Sequence, residues 1–446
     1  MLQNNKNIRV SGVDCIHSAL STDPTTPGYA DMKCQKLSWR MTLIQFQLDQ
    51  GISMYLPRIT LITAAVLALA ACSKQEAAAP QQNASAGAAA SDAVVVKIGS
   101  ANPLTGPFAH WGRDADNGVK LAAEEANAEN LKLDGKPVKF EVVSEDDQAD
   151  PKTATQVAQR FVDNKVAGVI GHLTSGAAIP ASKIYSDAGI PMIAGSVTSP
   201  KFTEQGFKNT FRIIANDQQQ GQALAKFAVG DLKHNRIAII DDRTTYGQGL
   251  ADDFAKSVEA AGGKVIKREF TTNSATDFMA ILTSIKGEKP DLVFYGGMDA
   301  QAGPMVKQMR KLGISADFMG ADGVNTAEFG KLGGKDADGS YASSAGAPKE
   351  NMPGFAAFND KFKKRFNAEI QAYAPYTYDA TRVMIDAMKR AGSADPAKYL
   401  PEVGKTKLQG VTGDIAFDAK GNIQNGTVSL YQMKNGKWES AASAAQ

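Results

Sequence analysis

The chain has 446 residues, with 49 basic and 47 acidic side chains, a formal net charge of +2 and three cysteines. Residues 1–71 hold six of the bases and four of the acids, so the remainder carries 43 of each and offers nucleic acid no basic face. Beyond Cys72 there is no thiol for a disulfide or a nucleophile, and the length calls for two domains rather than one core.

Residues 1–53 show no sustained periodicity and are expected to be a non-native or disordered leader, because Met54 itself opens a well-formed export signal. That signal, 54–71, has one positive charge at Arg58, an uncharged apolar run over 59–69, and Ala70 and Ala71 directly before Cys72. The run is shorter than the ~20 apolar residues a membrane span needs. Leu69-Ala70-Ala71-Cys72 resembles the lipobox of bacterial lipoproteins. The resemblance implies that Cys72 is acylated and becomes the N-terminus of a periplasmic protein lipid-anchored to a membrane. The Ala-, Gln-, Ser- and Pro-rich stretch 72–92 reads as a flexible tether.

From residue 93 short β-branched runs alternate with helical segments. Strands are expected at 94–98, 138–143, 166–170 and 191–194, with helices at 112–130, 151–164 and 176–188. Asp150-Pro151 is a helix start, an acid cap followed by proline at the first position. After 211–214 the alternation begins again. Strands follow at 236–240, 264–270, 291–295, 317–319 and 340–343, and helices at 218–232, 247–261, 278–285, 302–312 and 326–330. Helices at 353–367 and 376–391 then precede a strand-rich end over 413–439. Continuous apolar strands between helices mean parallel sheets. The fold class is therefore α/β, with two Rossmann-like lobes: 93–215 with 345–412, and 216–344 with 413–440. Such sheets bind ligands beyond the carboxyl ends of their strands, so two facing edges make a cleft.

No phosphate-binding G-x-x-x-x-G-K-[ST] loop, no H-E-x-x-H and no G-x-S-x-G occurs, and Gly99 and Gly106 do not fit a dinucleotide fingerprint. His110, His172 and His234 have no second ligand at metal spacing and read as satisfied surface or loop histidines. Glu145-Asp146-Asp147 reads as solvated turn and cap residues. Neither a cofactor, a metal nor an enzyme activity is expected. What the strand ends do carry is loops rich in hydroxyls, glycines and aromatics: 102–112, 171–176, 194–200, 245–249 and 320–323. The helix start at Ser175-Gly176 suits a carboxylate, since the first N–H groups of a helix have no partner within it. Asp322 suits a cation, and Trp111 and Tyr246 suit an apolar side chain. An anion grip, a cation acceptor and an apolar wall match a zwitterionic amino acid.

As an ordered set these loops resemble the periplasmic branched-chain amino acid binding proteins, the leucine/isoleucine/valine receptors of ABC importers. The likeness covers 94–435 and is carried by IGSANPLTGPFAHWG, DDQADPKTA, GVIGHLTSGA, IPMIAGSVTSP, RIAIIDDRTTYGQGLA, LVFYGG, FMGADG and GVTGDIAFDAKGN. It implies two lobes joined by a multi-strand hinge that close over the ligand, a membrane permease as partner, and a monomer. It also implies that Ser175 and Thr198 hold the α-carboxylate, and that the Ser196 carbonyl, the Thr198 hydroxyl and Asp322 take the α-ammonium. Trp111, Tyr246 and Tyr373 would line the side-chain pocket, with Tyr295 nearby. Two positions depart from the family. Its usual acid at the ammonium is glutamate, one methylene longer than Asp322, and its disulfide is replaced by Ala149 and Thr174. A receptor for another small solute (an amide, a carboxylate or an aromatic acid) and a sensory module that binds without transport share the same fold.

Overall fold

The computed structural model describes residues 93–444; the expected leader, the signal, Cys72 and the tether lie outside the described residues. Six strands make the first sheet: β1 (Val94–Asn102), β2 (Lys132–Leu133), β3 (Lys136–Asp146), β4 (Gly168–Gly171), β5 (Met192–Ala194) and β6 (Thr210–Arg212), in the order β2-β3-β1-β4-β5-β6. From β3 to β6 neighbours run parallel. β1 is longer than its apolar run because Ser100 and Asn102, polar by type, are buried, and Ser100 Oγ donates to Asp116 Oδ1 at 2.7 Å.

The second sheet joins β7 (Arg236–Asp241), β8 (Lys264–Phe270), β9 (Leu292–Gly296), β10 (Asp317–Met319), β11 (Tyr341–Ser344), β14 (Val428–Lys434) and β15 (Lys437–Ala444), in the order β15-β14-β11-β10-β9-β7-β8. In each sheet the chain visits one side of its first strand and then crosses to the other. The loops after β1, β4, β7 and β9 therefore splay apart at a switch point and leave a crevice. The two-lobed α/β fold follows from this repeat.

The chain passes between the sheets three times, after β6, after β11 and before β14. These crossings bond to one another: Ala215 N donates to Ala345 O at 3.0 Å, and Ser429 Oγ to Gly346 O at 2.6 Å. Within the expected 413–440 segment only β14 and β15 join the second sheet. Before them, β12 (Leu408–Gln409) and β13 (Asp414–Ile415) form a hairpin, and Asn422 bridges Arg212 of the first sheet. A helix not expected from the pattern runs over Pro396–Gly404, with Asp395 Oδ1 accepting from Ala397 N at 3.0 Å. Its Asp-Pro start repeats the signal that opens Pro151–Asp163.

The acid run 145–147 is not uniformly solvated. Asp147 is fully buried, with Oδ2 2.7 Å from His172 Nδ1, and His172 Nε2 lies 3.0 Å from the Tyr185 hydroxyl. His172 is thus satisfied, but in the core rather than on a surface. This pair ties the loop of Ala149 to the loop of Thr174, the two places to which the resemblance assigns a disulfide. Asp146 and Glu145 do face solvent as turn and ion-pair residues, Asp146 accepting from Leu104 N and Gln148 N at 2.9 Å.

A second buried acid sets the approach of the last long helix, Ala374–Ala391. Its first residues have no cap of their own; instead Asp114, on the helix Ala109–Ala128, accepts from the N–H groups of Gln371, Ala372, Tyr373 and Ala374 at 2.8–3.0 Å. Replacing Asp114 with alanine would leave those four donors without their acceptor. Each buried unsatisfied group costs about 1–3 kcal/mol, so Asp114→Ala should lose at least about 3 kcal/mol in urea unfolding of the 93–444 region. A loss within about 0.5 kcal/mol, the range of an ordinary surface change, would contradict the capping role.

Candidate functional site

Seven of the eight expected side chains meet in the crevice. Trp111 is the third residue of the helix after β1, Ser175 the first of the helix after β4, and Ser196 and Thr198 follow β5. From the second sheet come Tyr246, at the start of the helix Thr245–Ala260, and Asp322, on the loop after β10. Tyr373 precedes the helix Ala374–Ala391, held there by Asp114. Together with Leu173, Thr174 and Met298 they line one small cavity, and each of the seven is at most 7% exposed.

Asp322 is the centre of the polar contacts. Its Oδ1 accepts from Gln220 Nε2 at 2.8 Å and from the Tyr246 hydroxyl at 2.9 Å, and its Oδ2 from the Tyr373 hydroxyl at 2.7 Å. Tyr246 and Gln220 belong to the second sheet's side of the cleft and Tyr373 to the first, so one carboxylate is gripped from both lobes. Long donors meet the short aspartate. Gly323 is needed for this approach, because a Cβ there would stand 2.8 Å from the Tyr246 hydroxyl and 2.6 Å from Gly297 O. Behind Gln220, Ser343 Oγ donates to its Oε1 at 2.7 Å and completes the chain.

Opposite lies the hydroxyl shelf. Ser175 Oγ accepts from Ser199 N at 3.3 Å, and Ser196 Oγ donates to Leu173 O at 2.9 Å. Arg212, buried beneath, holds this shelf by donating to Val197 O at 3.3 Å, Ser199 O at 2.7 Å and Thr203 Oγ1 at 3.2 Å. Burial lowers its guanidinium to about 10, still charged at neutral pH. The helix that starts at Ser175 has no side-chain cap, and the buried Thr174 Oγ1 finds no partner among the described residues. A negative group would be welcome at that end.

Tyr295 does not join this group. It is fully buried with Val293 on one face of β9, its ring 6.4 Å from that of Phe318, while Leu292 and Phe294 pack into the other core. Its hydroxyl end packs against Gly297 and Met298, so it stands behind a cavity residue without lining the cavity itself. The residues missed from sequence are the polar ones behind the wall: Gln220, Asp217, Ser343 and Asp299. Gln220 and Asp217 sit in a capped helix start, Asn216 accepting from Gln219 N at 3.0 Å, which reads locally as helix punctuation only.

Electrostatically, burial pushes the Asp322 carboxyl above the usual carboxylate range, against the pull of its Tyr373, Gln220 and Tyr246 donors. Asp217, fully buried nearby, is pushed well above it by burial and then by the charge of Asp322. A carboxyl raised by folding is favoured when protonated. Its contribution to stability is present at low pH and falls as pH rises from the ordinary range through the raised value. Asp217→Asn keeps the neutral shape, so the variant should be at least as stable as the native chain near neutral pH. The gap in its favour should shrink on acidification to pH 4. Urea unfolding at the two pH values checks this; a variant less stable at neutral pH than in acid, relative to the native chain, would contradict it.

The model of the family described as "Periplasmic binding protein" matches residues 95–437. The chain is 35% identical over 345 residues to the Leu/Ile/Val-binding protein homolog 2 of Brucella abortus (strain 2308), covering 77% of this chain and 91% of that one. It is 33% identical to a leucine-, isoleucine-, valine-, threonine- and alanine-binding protein of Pseudomonas aeruginosa, covering 76% and 89%. Among solved structures, LivJ of Streptococcus pneumoniae in complex with isoleucine superposes with a TM-score of 0.72 at 30% identity, covering 79% of this chain and 99% of that one. A leucine-binding protein LivK from Thermotoga maritima gives 0.73 at 29%, covering 78% and 98%. By the family match, the relatives and the shared two-lobed fold, the chain belongs to the periplasmic binding protein family.

Proposed function

We propose that this protein is the extracytoplasmic receptor of an ABC importer. It binds a branched-chain or other neutral aliphatic amino acid between its lobes and delivers it to a membrane permease. The observation that carries this reading is the opposition, across one closed crevice, of a buried carboxylate and a hydroxyl-rich helix start. Asp322 takes the α-ammonium; Ser175 and Thr198 take the α-carboxylate; Trp111, Tyr246 and Tyr373 enclose the side chain. The wall residues are uncharged, so a charged side chain would lose its hydration with no partner there. The relatives named for leucine, isoleucine and valine, and the isoleucine-bound neighbour, support the same ligand class.

The work of such a site is capture and release, and it needs two states. The cavity these residues line has a volume of about 10 Å³, about the space of one water. A ligand therefore enters as the lobes part, and closure assembles contacts that neither lobe offers alone. The hinge crossings are the segments placed to flex, and the sheets on either side are the rigid bodies they join.

Calorimetric titration with leucine, alanine, glutamate and an aliphatic amide tests the ligand class. Leucine should bind tightest and exceed alanine by about 2 kcal/mol, some thirtyfold, at about 0.8 kcal/mol per buried CH₂. Asp322→Ala should weaken leucine by about 3 kcal/mol or more, since the ammonium would lie buried without its counter-charge. Glutamate or the amide binding tighter than leucine would turn the reading to another small solute.

Export and anchoring through Cys72 belong to the same proposal, with a single tethered copy serving the permease. Cys72→Ala should leave an unprocessed or unanchored product in a cell fractionation with mass spectrometry of the N-terminus. Native protein that keeps Met1 and an unmodified Cys72 would rule the anchor out.

A further inference from the structure

Asp299 opens the helix Asp299–Lys311 on the loop after β9, and its carboxylate is fully buried. A single oxygen, Oδ2, meets three groups. Thr326 Oγ1, of its own lobe, donates at 2.7 Å. From the first lobe, the Trp111 indole N–H donates at 3.2 Å and His110 Nε2 lies at 2.9 Å. Two of the three partners therefore come from across the cleft. Thr326 Oγ1 also accepts from Phe329 N at 3.1 Å as the cap of the helix Ala327–Gly333, which fixes the carboxylate against a second element of its lobe. Asp299 itself is not part of the cavity wall; Trp111 is.

The Trp111 ring stands 5.3 Å from that of Tyr373, edge to face, and the Tyr373 hydroxyl reaches Asp322. Two second-lobe carboxylates thus grip the polar edges of two packed first-lobe aromatics. Asp322 faces the cavity. Asp299 stands behind it.

We propose that Asp299 is a positioning residue, a cross-cleft latch that holds Trp111 over the side-chain pocket and thereby sets how long the ligand stays. The proposal rests on the reading of the crevice as an amino-acid site. A bond between groups on different lobes exists only when they are closed, so it shifts the open–closed balance by its own strength. A donor on a carboxylate in dry surroundings makes one of the stronger hydrogen bonds available. Such a contact is broken on the way out and not yet made on the way in, so its loss is read in dissociation rather than association.

Stopped-flow release of leucine from the saturated full-length chain is the first test. Asp299→Ala should speed release about tenfold and change association by less than about twofold. The same substitution in a His110→Ala, Trp111→Phe background, where the cross-cleft partners are already gone, should add less than about twofold. A full tenfold effect in that background would mean that Asp299 only supports its own lobe, and would overturn the latch. The second test is independent of release: the indole N–H resonance of Trp111 in chain labelled with ¹⁵N-tryptophan, assigned by its loss in Trp111→Phe. It is read with and without leucine. Asp299→Ala should move it and speed its exchange in at least one condition, and Asp299→Asn, which keeps one acceptor oxygen, should move it less. A resonance unmoved in both conditions overturns the latch. If leucine does not bind the native chain but the resonance moves, the amino-acid reading fails and the latch stands.

Discussion

A carboxylate taken out of water must find donors or lose its charge, and Asp322 lies where neither lobe alone supplies enough of them. Gln220 and Tyr246 reach it from the second lobe and Tyr373 from the first. The same geometry explains why burial raises its carboxyl only against the pull of these donors. Under the proposed function an amino acid's ammonium would be its fourth partner, because it favours the ionised form that burial opposes. The closed crevice is therefore built around one group whose needs are met only when both lobes contribute.

Other buried charged groups hold the crevice to its shape. Asp114 caps the helix Ala374–Ala391 from a neighbouring helix and so places Tyr373. Arg212 spends its donors on the carbonyls beneath Thr198 and on Asn422, joining the hydroxyl shelf to the last crossing of the hinge. Asp147 and His172 join the loops of Ala149 and Thr174 without a covalent bond. Asp114 is met by backbone N–H groups, Arg212 by two carbonyls and two side-chain oxygens, and the Asp147–His172 pair by Ala149 N and the Tyr185 hydroxyl. That is how irregular segments can be kept rigid at a binding site.

Much of this was legible in the sequence. The alternation of apolar runs and helical segments predicts both sheets, because strands buried on two faces must be apolar along their length. Asp150-Pro151 marks a helix by local capping chemistry, and Asp395-Pro396 carries the same signal although the helix it opens is not expected from the pattern. The eight expected binding residues lie near strand ends or helix starts, and the switch points of the two sheets bring seven of them to one cavity. Tyr295, expected nearby, packs in the core behind Gly297 and Met298, because a strand end alone does not say which face a residue takes. Phe294 and Tyr295 differ by one position and by the whole thickness of the sheet.

The sequence by itself determined what depends on neighbours within a turn or a strand: element types, caps and the chemistry available at each loop. Only the tertiary structure decided the pairings between distant residues. Asp299 meets Trp111 across 188 positions, Asp322 meets Gln220 across 102, and Asp114 meets Tyr373 across 259. Such partners share no period or spacing, since they are set by which loops two separate sheets turn toward one another. An aspartate bound to solvent and one buried as a latch are written with the same letter, and burial alone separates them.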